Sequence, residues 1–322
     1  MGRPPKGEFP SRFSGVRGKV QITSQEDIDW LQLMLCANDI GAGGLARLTE
    51  VYGSLGEIVR AGRREVAQVI GQDASRVLFS DDKVRECEAA CAWLAAGGGA
   101  DIVVLSDPDY PKRLLQLPRP PAVLFVRGRR GVLSDKAAIF LTGTRRPDDE
   151  GRRNAEDFGR AIARRAALLT GFEEGVEMAA AAAALKSEKR DENCTVIGVQ
   201  ATGPDRIFPA SARELFYAAA ERGLLVSPFV PGVGYASEND VVRRSVSLAL
   251  SRALFVVQAE AGSAAVALAR EAAESARDVY AIPGSIHNAL YKGCHKLLRE
   301  GAGLVERLED LDISVMEGSD KT

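Results

Sequence analysis

The sequence predicts an α/β protein in which a doubly wound, mostly parallel sheet follows an N-terminal helical region. Three observations lead there. From Ile102 onward, short apolar runs rich in Val, Ile and Leu appear, and from Ala137 they alternate with stretches of helical period. Several of those runs end in a glycine turn. Residues 23–97, by contrast, carry only helical spacing. The 322 residues suffice for two domains. The expected division is a flexible basic arm over 1–22, a helical domain over 23–97, the sheet domain over 101–312 and a tail over 313–322.

The helical region opens at "TSQEDIDWLQLMLC", where Thr23 and Ser24 are cap candidates and Glu26 lies in the first turn. Trp30, Leu31, Met34 and Leu35 follow at core spacing. Ile40-Gly41-Ala42-Gly43 separates this helix from one carrying Leu45, Leu48 and Val51. That arrangement is similar to the glycine hairpin of helix-hairpin-helix or SAM-like modules, which serves either as a plain helix turn or as a phosphate contact. "AAGGGA" then closes the region as a linker. Beyond it come strands Ile102–Leu105 and Ala122–Val126, and a buried strand within Ala137–Thr144. Helix 151–167 leads to strand Ala167–Thr170, and helix 176–186 to strand Thr195–Val199. Helix 211–222 precedes strand Leu224–Val226, and helix 241–251 precedes strand Ala253–Val257. Helix 263–274 leads to strand Asp278–Ala281, and a last helix and short strand follow.

Composition removes several function classes. The formal net charge is −2, so any nucleic-acid surface must be local. No run of 18 apolar residues is present, and the basic N-terminus has no apolar h-region, so neither a membrane span nor a secretory signal is expected. That N-terminus is read as a solvated tail or a nucleic-acid-binding arm. The five cysteines are odd in number and unsuited to a zinc motif; with His287 and His295 unaccompanied by a carboxylate cluster, no metal site is expected, and a reducing cytoplasm fits. Cys87 and Cys91 share a helix face. No G-x-S-x-G elbow or placed histidine suggests catalysis, and Ser263 reads as a helix N-cap.

The turns carry the functional signal. "TGTRRPDDEGRR", "TGFEEG", "QATGPDRIFP" and "IPGS" each follow a strand, and in a parallel sheet they share one edge. Their glycines, with adjacent helix N-termini, form a crevice suited to phosphate. Neither G-x-G-x-x-G nor G-x-x-x-x-G-K-[ST] is present, so a standard NAD site and a P-loop are not expected. Arg145 and Arg146 lie in the first turn, and Arg152 and Arg153 in the first helical turn, where a cation opposes the dipole. Either local carboxylates or a phosphate compensates them. Arg243 and Arg244 form a second pair.

These segments resemble the DNA-processing protein A (DprA, or Smf) family. "YPKRLLQLPRPPAVLFVRG", "TGTRRPDDEGRR", "TVIGVQATGPDRIFP" and "RDVYAIPGSIHNALYKGCHKLLREGA" match its ordered blocks, and the resemblance extends over about residues 23–312. It implies an extended Rossmann-like domain that binds single-stranded DNA without a cofactor, forms homodimers and loads a RecA-type recombinase, as in natural transformation. Carried over by motif, Gly143, Thr144 and Arg145 would line the DNA crevice. Gly171, Gly175, Gly203, Gly284 and Ser285 would supply turn contacts. Arg145, Arg146, Arg152, Arg243 and Arg244 would supply charge.

The departures concentrate at the crevice. "TGFEEGVE" stands where the family has Ser-Gly-x-Ala-Arg/Lys-Gly-Ile-Asp, so Glu174 replaces a basic residue. Asn193-Cys194 stands for Gly-Lys/Arg, "RRS" for Arg-Asn-Arg, and "QAEAGS" for a longer Glu-Ala to Ser-Gly-Ser segment. No winged-helix segment is expected after the sheet domain. A glutamate about 5 Å from a phosphate is repulsive by roughly 1–3 kcal/mol, so Glu173, Glu174 and Glu177 are expected to weaken DNA binding. Two functions follow. The first is a DprA-type single-stranded DNA-binding protein. The second is a diverged regulatory relative, an antitoxin or defence-locus partner of a neighbour-encoded protein or a sensor of a nucleotide-derived ligand. A nucleotide-processing enzyme of the lysine-decarboxylase-like type is a third reading, but its Pro-Gly-Gly-x-Gly-Thr signature is absent.

Overall fold

The computed structural model describes residues 22–105, 107–135, 137–186 and 195–312. All but the last residue of the expected arm, Asn193-Cys194 and the tail lie outside them. Four helices come first: α1 (Gln25–Tyr52), α2 (Leu55–Ile70), α3 (Gln72–Leu78) and α4 (Asp81–Ala95). Ser24 caps α1, and Asp27 returns the bond in a capping box. α1 breaks at Gly41, whose φ of 74° and ψ of 158° only glycine adopts freely. The hairpin read in the sequence is this kink.

The rest alternates strand and helix: β1 (Ala100–Val104), β2 (Val123–Gly128), α5 (Val132–Asp135), β3 (Ala138–Thr142), α6 (Asp149–Arg165), β4 (Ala167–Thr170) and α7 (Val176–Leu185). Then come β5 (Thr195–Val199), α8 (Arg213–Arg222), β6 (Leu224–Ser227), α9 (Ser237–Leu250), β7 (Ala253–Val256), α10 (Ala264–Glu274), β8 (Asp278–Ala281), α11 (Lys292–Arg299) and β9 (Gly303–Leu304). The predicted strands are in place. One helix start differs: α9 begins at Ser237, four residues before the apolar pattern, because its first turn is polar throughout.

The described strands form one nine-stranded sheet in the order β1-β2-β6-β5-β4-β3-β7-β8-β9. From β6 to β9 every pairing is parallel; β2 runs antiparallel to β6, and β1 to β2. The chain leaves β3 toward β4 on one side and returns to β7 on the other. β3/β7 is therefore the switch point, where crossovers diverge and leave a crevice.

β1 and β2 join two cores by simple alternation. Val103, Leu124 and Val126 face the main core, while Ile102, Val104, Val123 and Phe125 face the core of the N-terminal helices with Trp30, Leu31 and Trp93. Cys36, Cys87 and Cys294 are buried, and burial pushes each thiol up to about 12. They are packed hydrophobes, not nucleophiles.

A polar lock joins three loops on the sheet edge. Asp148 caps α6 by accepting from Gly151 N at 2.8 Å. It also accepts from Gln258 Nε2 at 2.9 Å and Asn288 Nδ2 at 2.8 Å, while its own amide donates to Gln258 Oε1. The loops after β3, β7 and β8 thus share one carboxylate. The Gly151 bond, with those from Gln258 and Asn288, holds that carboxyl below its ordinary value of 3.8. A lowered carboxyl contributes stability above that value and loses it as pH falls through the folded-state value. Asp148→Asn keeps a cap-competent side chain and removes this titration. The melting-temperature gap between parent and variant is expected to be widest near neutral pH and to close below about pH 4. A gap independent of pH would contradict the lock.

Candidate nucleic-acid interface

The loops after β3, β4, β5, β6, β7 and β8 all emerge at the carboxyl edge of the parallel strands. The expected juxtaposition of the glycine turns follows from that topology. What fills them differs from expectation.

The turn after β4 is occupied by the chain's own carboxylate. Glu177, in the first turn of α7, is buried. It accepts from Gly171 N at 2.7 Å, Thr142 Oγ1 at 2.8 Å, Thr170 Oγ1 at 3.3 Å and Glu173 N at 3.4 Å. These are the donors that a strand-glycine-helix turn would offer a phosphate. Burial, then the neighbouring Glu173 charge, hold the Glu177 carboxyl above the ordinary range. Gly171 is therefore no open backbone contact, which revises the sequence expectation. It is glycine because a Cβ there would overlap the guanidinium of Arg243.

Arg243 is corrected in the same way. It is 2% exposed and lies inside the loop cluster. Its guanidinium pairs with Glu173 and, at 3.1 Å, with Asp240. Glu173 also accepts from Arg145 Nε at 3.1 Å and meets Arg244 Nη2 at 3.4 Å. Burial alone would raise the Glu173 carboxyl, but the charges of Arg243, Arg145 and Arg244 outweigh it and hold it low. Three of the arginines expected to meet phosphate thus converge on one glutamate. The two neighbouring glutamates have different fates, since Glu174 is exposed and carries no ion-pair partner among the described residues.

The other turn glycines are packing positions. Gly175 has φ +90°, and a Cβ there would strike the backbone of Thr144 and Arg145, so it lets two turns touch. Gly203 N donates to Val233 O at 2.8 Å, so that amide is not open, and His295 Nε2 lies 2.9 Å from Gly284 O. Gly143 packs against Val176 and Gln258 O. Ser285 is exposed and accepts from His287 N, and Thr144 Oγ1 accepts from Arg146 N.

Free positive charge remains at the rim. Arg146, Arg152 and Arg153 are exposed and have no ion-pair partner among the described residues. Arg146 lies in the bend after β3, and Arg152 and Arg153 near the start of α6, which Asp148 caps. Arg145 is also exposed, with its Nε on Glu173.

An aromatic pair that the sequence reading missed lies on the same edge. Phe208, after β5, and Tyr235, after β6, stack with ring centroids 3.6 Å apart and 13° between planes. They are 43% and 41% exposed, so the stack has been built without being buried. Tyr235 donates its hydroxyl to Asp240 Oδ2 at 2.7 Å, and Asp240 holds Arg243. A continuous chain, Tyr235-Asp240-Arg243-Glu173-Arg145, therefore links aromatic pair to arginine turn. Only the "IFP" and "GVGY" segments signal it in sequence, and nothing local says that they meet.

Known proteins share this fold. The sequence model of the family described as DNA recombination-mediator protein A matches residues 101–315. The Smf protein of Synechocystis is 28% identical over 258 residues, 78% of this chain and 61% of that protein. The chain thus spans less than two thirds of that relative. DNA processing protein A of Streptococcus pneumoniae superposes with a TM-score of 0.68 at 24% identity, covering 91% of this chain and 98% of that one. DNA processing protein A from Helicobacter pylori, whose structure is described for its single-stranded DNA binding mode, gives 0.58 at 22% identity, covering 67% and 96%. These two likenesses establish the same fold. No helix among the described residues is long and apolar enough to cross a membrane. With the family match running through the whole sheet region and its turns, the chain belongs to the DNA recombination-mediator protein A family.

Proposed function

We propose that this protein binds single-stranded DNA along the carboxyl edge of its sheet and serves DNA processing and recombination as a binding protein rather than an enzyme. The observation that carries the reading is the exposed Phe208–Tyr235 stack on the same edge as the unpaired cations Arg146, Arg152 and Arg153. Single strands are held by that combination: guanidiniums neutralise phosphates, and aromatic faces take bases that a duplex keeps stacked. β3 and β6 are three strand spacings apart, about 15 Å between the strands themselves, so the loops that carry the cations and the rings leave one stretch of the same edge. Family membership supports assistance to a RecA-type recombinase and homodimerisation through the Rossmann-like region, in the cytoplasm. The alternative, a regulatory relative with weakened DNA binding that pairs with a neighbour-encoded protein, draws on one observation. Glu173 and Glu177 have taken up cations and amides that a phosphate would otherwise use.

Three outcomes test the reading. Removing Arg146 or Arg152 with alanine should weaken oligo-dT binding at low salt, and each should reduce the slope of log K against log salt by about 0.7. Unchanged slopes would remove the rim from the interface. Phe208→Ala and Tyr235→Ala should each cost about 1–3 kcal/mol of single-strand affinity with little dependence on base identity, read by fluorescence anisotropy. The two glutamates should separate. Glu174→Arg, at an exposed position, should strengthen binding in low salt. Glu173→Ala should instead lower the melting temperature, because it strips a buried guanidinium of one of its anions. Equal behaviour of the two variants would contradict the structure of the turn.

A further inference from the structure

One unbroken relay of charge-assisted hydrogen bonds joins three loops of the carboxyl edge. Tyr235, after β6, donates its hydroxyl to Asp240 Oδ2 at 2.7 Å, and Asp240 Oδ1 accepts from Arg243 Nε at 3.1 Å. Arg243 pairs in turn with Glu173, after β4. Glu173 Oε2 then accepts from Arg145 Nε, after β3, at 3.1 Å. The relay is closed in its middle and open at its ends. Arg243 is buried and Asp240 and Glu173 are half-buried, whereas Arg145 and Tyr235 are exposed. One accessible end is a cation and the other an aromatic ring.

The middle of the relay cannot relax by itself. The Arg243 guanidinium is wedged against Gly171, where an added Cβ would overlap it. Asp240 and Glu173 are the anions that make its burial tolerable, so it cannot leave either. Close-packed groups pass a displacement on rather than absorb it. A shift of Glu173 is therefore felt at Asp240. At the far end, the Tyr235 hydroxyl has no hydrogen-bond partner but Asp240 among the described residues. Its ring is stacked on Phe208, so the tether orients both rings. A ring that only stacks on a base needs no hydroxyl, and Phe208 has none. The hydroxyl of Tyr235 serves the relay instead.

We propose that the Tyr235 hydroxyl and Asp240 are positioning residues that hold the aromatic pair in register with Arg145, so that base stacking and phosphate neutralisation reinforce each other. The inference rests on the single-strand reading of this edge and adds a specificity device to it. Neither group is itself a strand contact. The hydroxyl is committed to Asp240, and a carboxylate repels phosphate. Their effect is to favour a strand that presents bases and phosphates together over one that presents phosphates alone.

The test uses the full chain and compares its affinity for oligo-dT with that for an abasic strand of the same length, by fluorescence anisotropy. Both strands carry the same phosphates, so the ratio of the two affinities reports the rings. Tyr235→Phe keeps the ring and removes the tether. It should lower the ratio by at least about threefold, the scale on which members of one hydrogen-bond network couple. Its salt slope and melting temperature should stay at the parental values, because no cation and no buried group is lost. In a Phe208→Ala background, Tyr235→Phe should have no further effect on the ratio, since no pair is left to position. Arg145→Ala should weaken binding of both strands and also lower the ratio, and the second effect should vanish in the Tyr235→Phe background. Asp240→Ala removes the acceptor and should reproduce the loss; if it unfolds the protein by stripping Arg243 of an anion, Tyr235→Phe decides. A parent protein that binds neither strand refutes the strand-binding function, and this inference with it. If the parent binds oligo-dT, three results overturn the positioning role alone. They are equal parental affinity for the two strands, an unchanged ratio in Tyr235→Phe, and an equal loss on both strands in Arg145→Ala.

Discussion

The sheet edge is organised by the burial of one guanidinium. Arg243 is almost wholly removed from water, which is tolerable only with anions in contact. Glu173 and Asp240 supply them. From that pair the rest follows. Glu173 draws in Arg145 and Arg244 and so ties the turn after β3 to the turn after β4 and to α9. Asp240 accepts the hydroxyl of Tyr235 and so fixes the stack with Phe208. Gly171 is required because the guanidinium lies where a side chain would begin. The same interaction gives the acidic turn of this chain a structural role: one of its two adjacent glutamates is the counter-ion of a buried cation.

A second constraint divides the edge into filled and available parts. A glycine turn leading into a helix offers amides and a positive dipole end to an anion. After β4 the chain provides that anion itself, in Glu177. After β3 it provides Asp148, which also reaches the loops after β7 and β8. These internal carboxylates trade anion-binding capacity for loop rigidity. Among the described residues of the turn after β3 and the start of α6, Arg146, Arg152 and Arg153 keep their positive charge unpaired. Binding at such a rim is electrostatic and salt-sensitive. On the proposed function, selectivity for unpaired bases falls to the exposed rings, since guanidiniums meet phosphates of single and double strands alike.

Much of the architecture is legible in the sequence. The strands from β3 to β7 announce themselves as short buried runs, because a strand covered on both faces has few polar positions. Helix α9 is the instructive exception: its first turn, Ser237 to Asp240, is polar throughout and so carries no apolar period. The site is legible only in part. Exposed arginines in a turn could be named, and Arg146 and Arg152 are at the rim as expected. Arg243 and Arg244, adjacent in sequence on one helix, differ in burial because successive residues on a helix point about 100° apart. Glu173 and Glu174 look equivalent as letters, yet one is a buried counter-ion and the other a solvated surface charge. The glycines suggest open amides as letters, whereas Gly171 and Gly203 have theirs engaged within the chain.

Taken alone, the sequence determined the α/β class, the element order, the placement of the turns on a common edge and the family, because each rests on local periodicity or on contiguous motifs. Tertiary structure decided which charges are free. Glu173 and Arg243 are 70 residues apart, and Phe208 and Tyr235 belong to different loops. Their contacts exist only because parallel strands place the ends of distant segments side by side. Burial then decides the chemistry, since the same guanidinium is a counter-ion when desolvated beside carboxylates and a phosphate ligand when left at the rim.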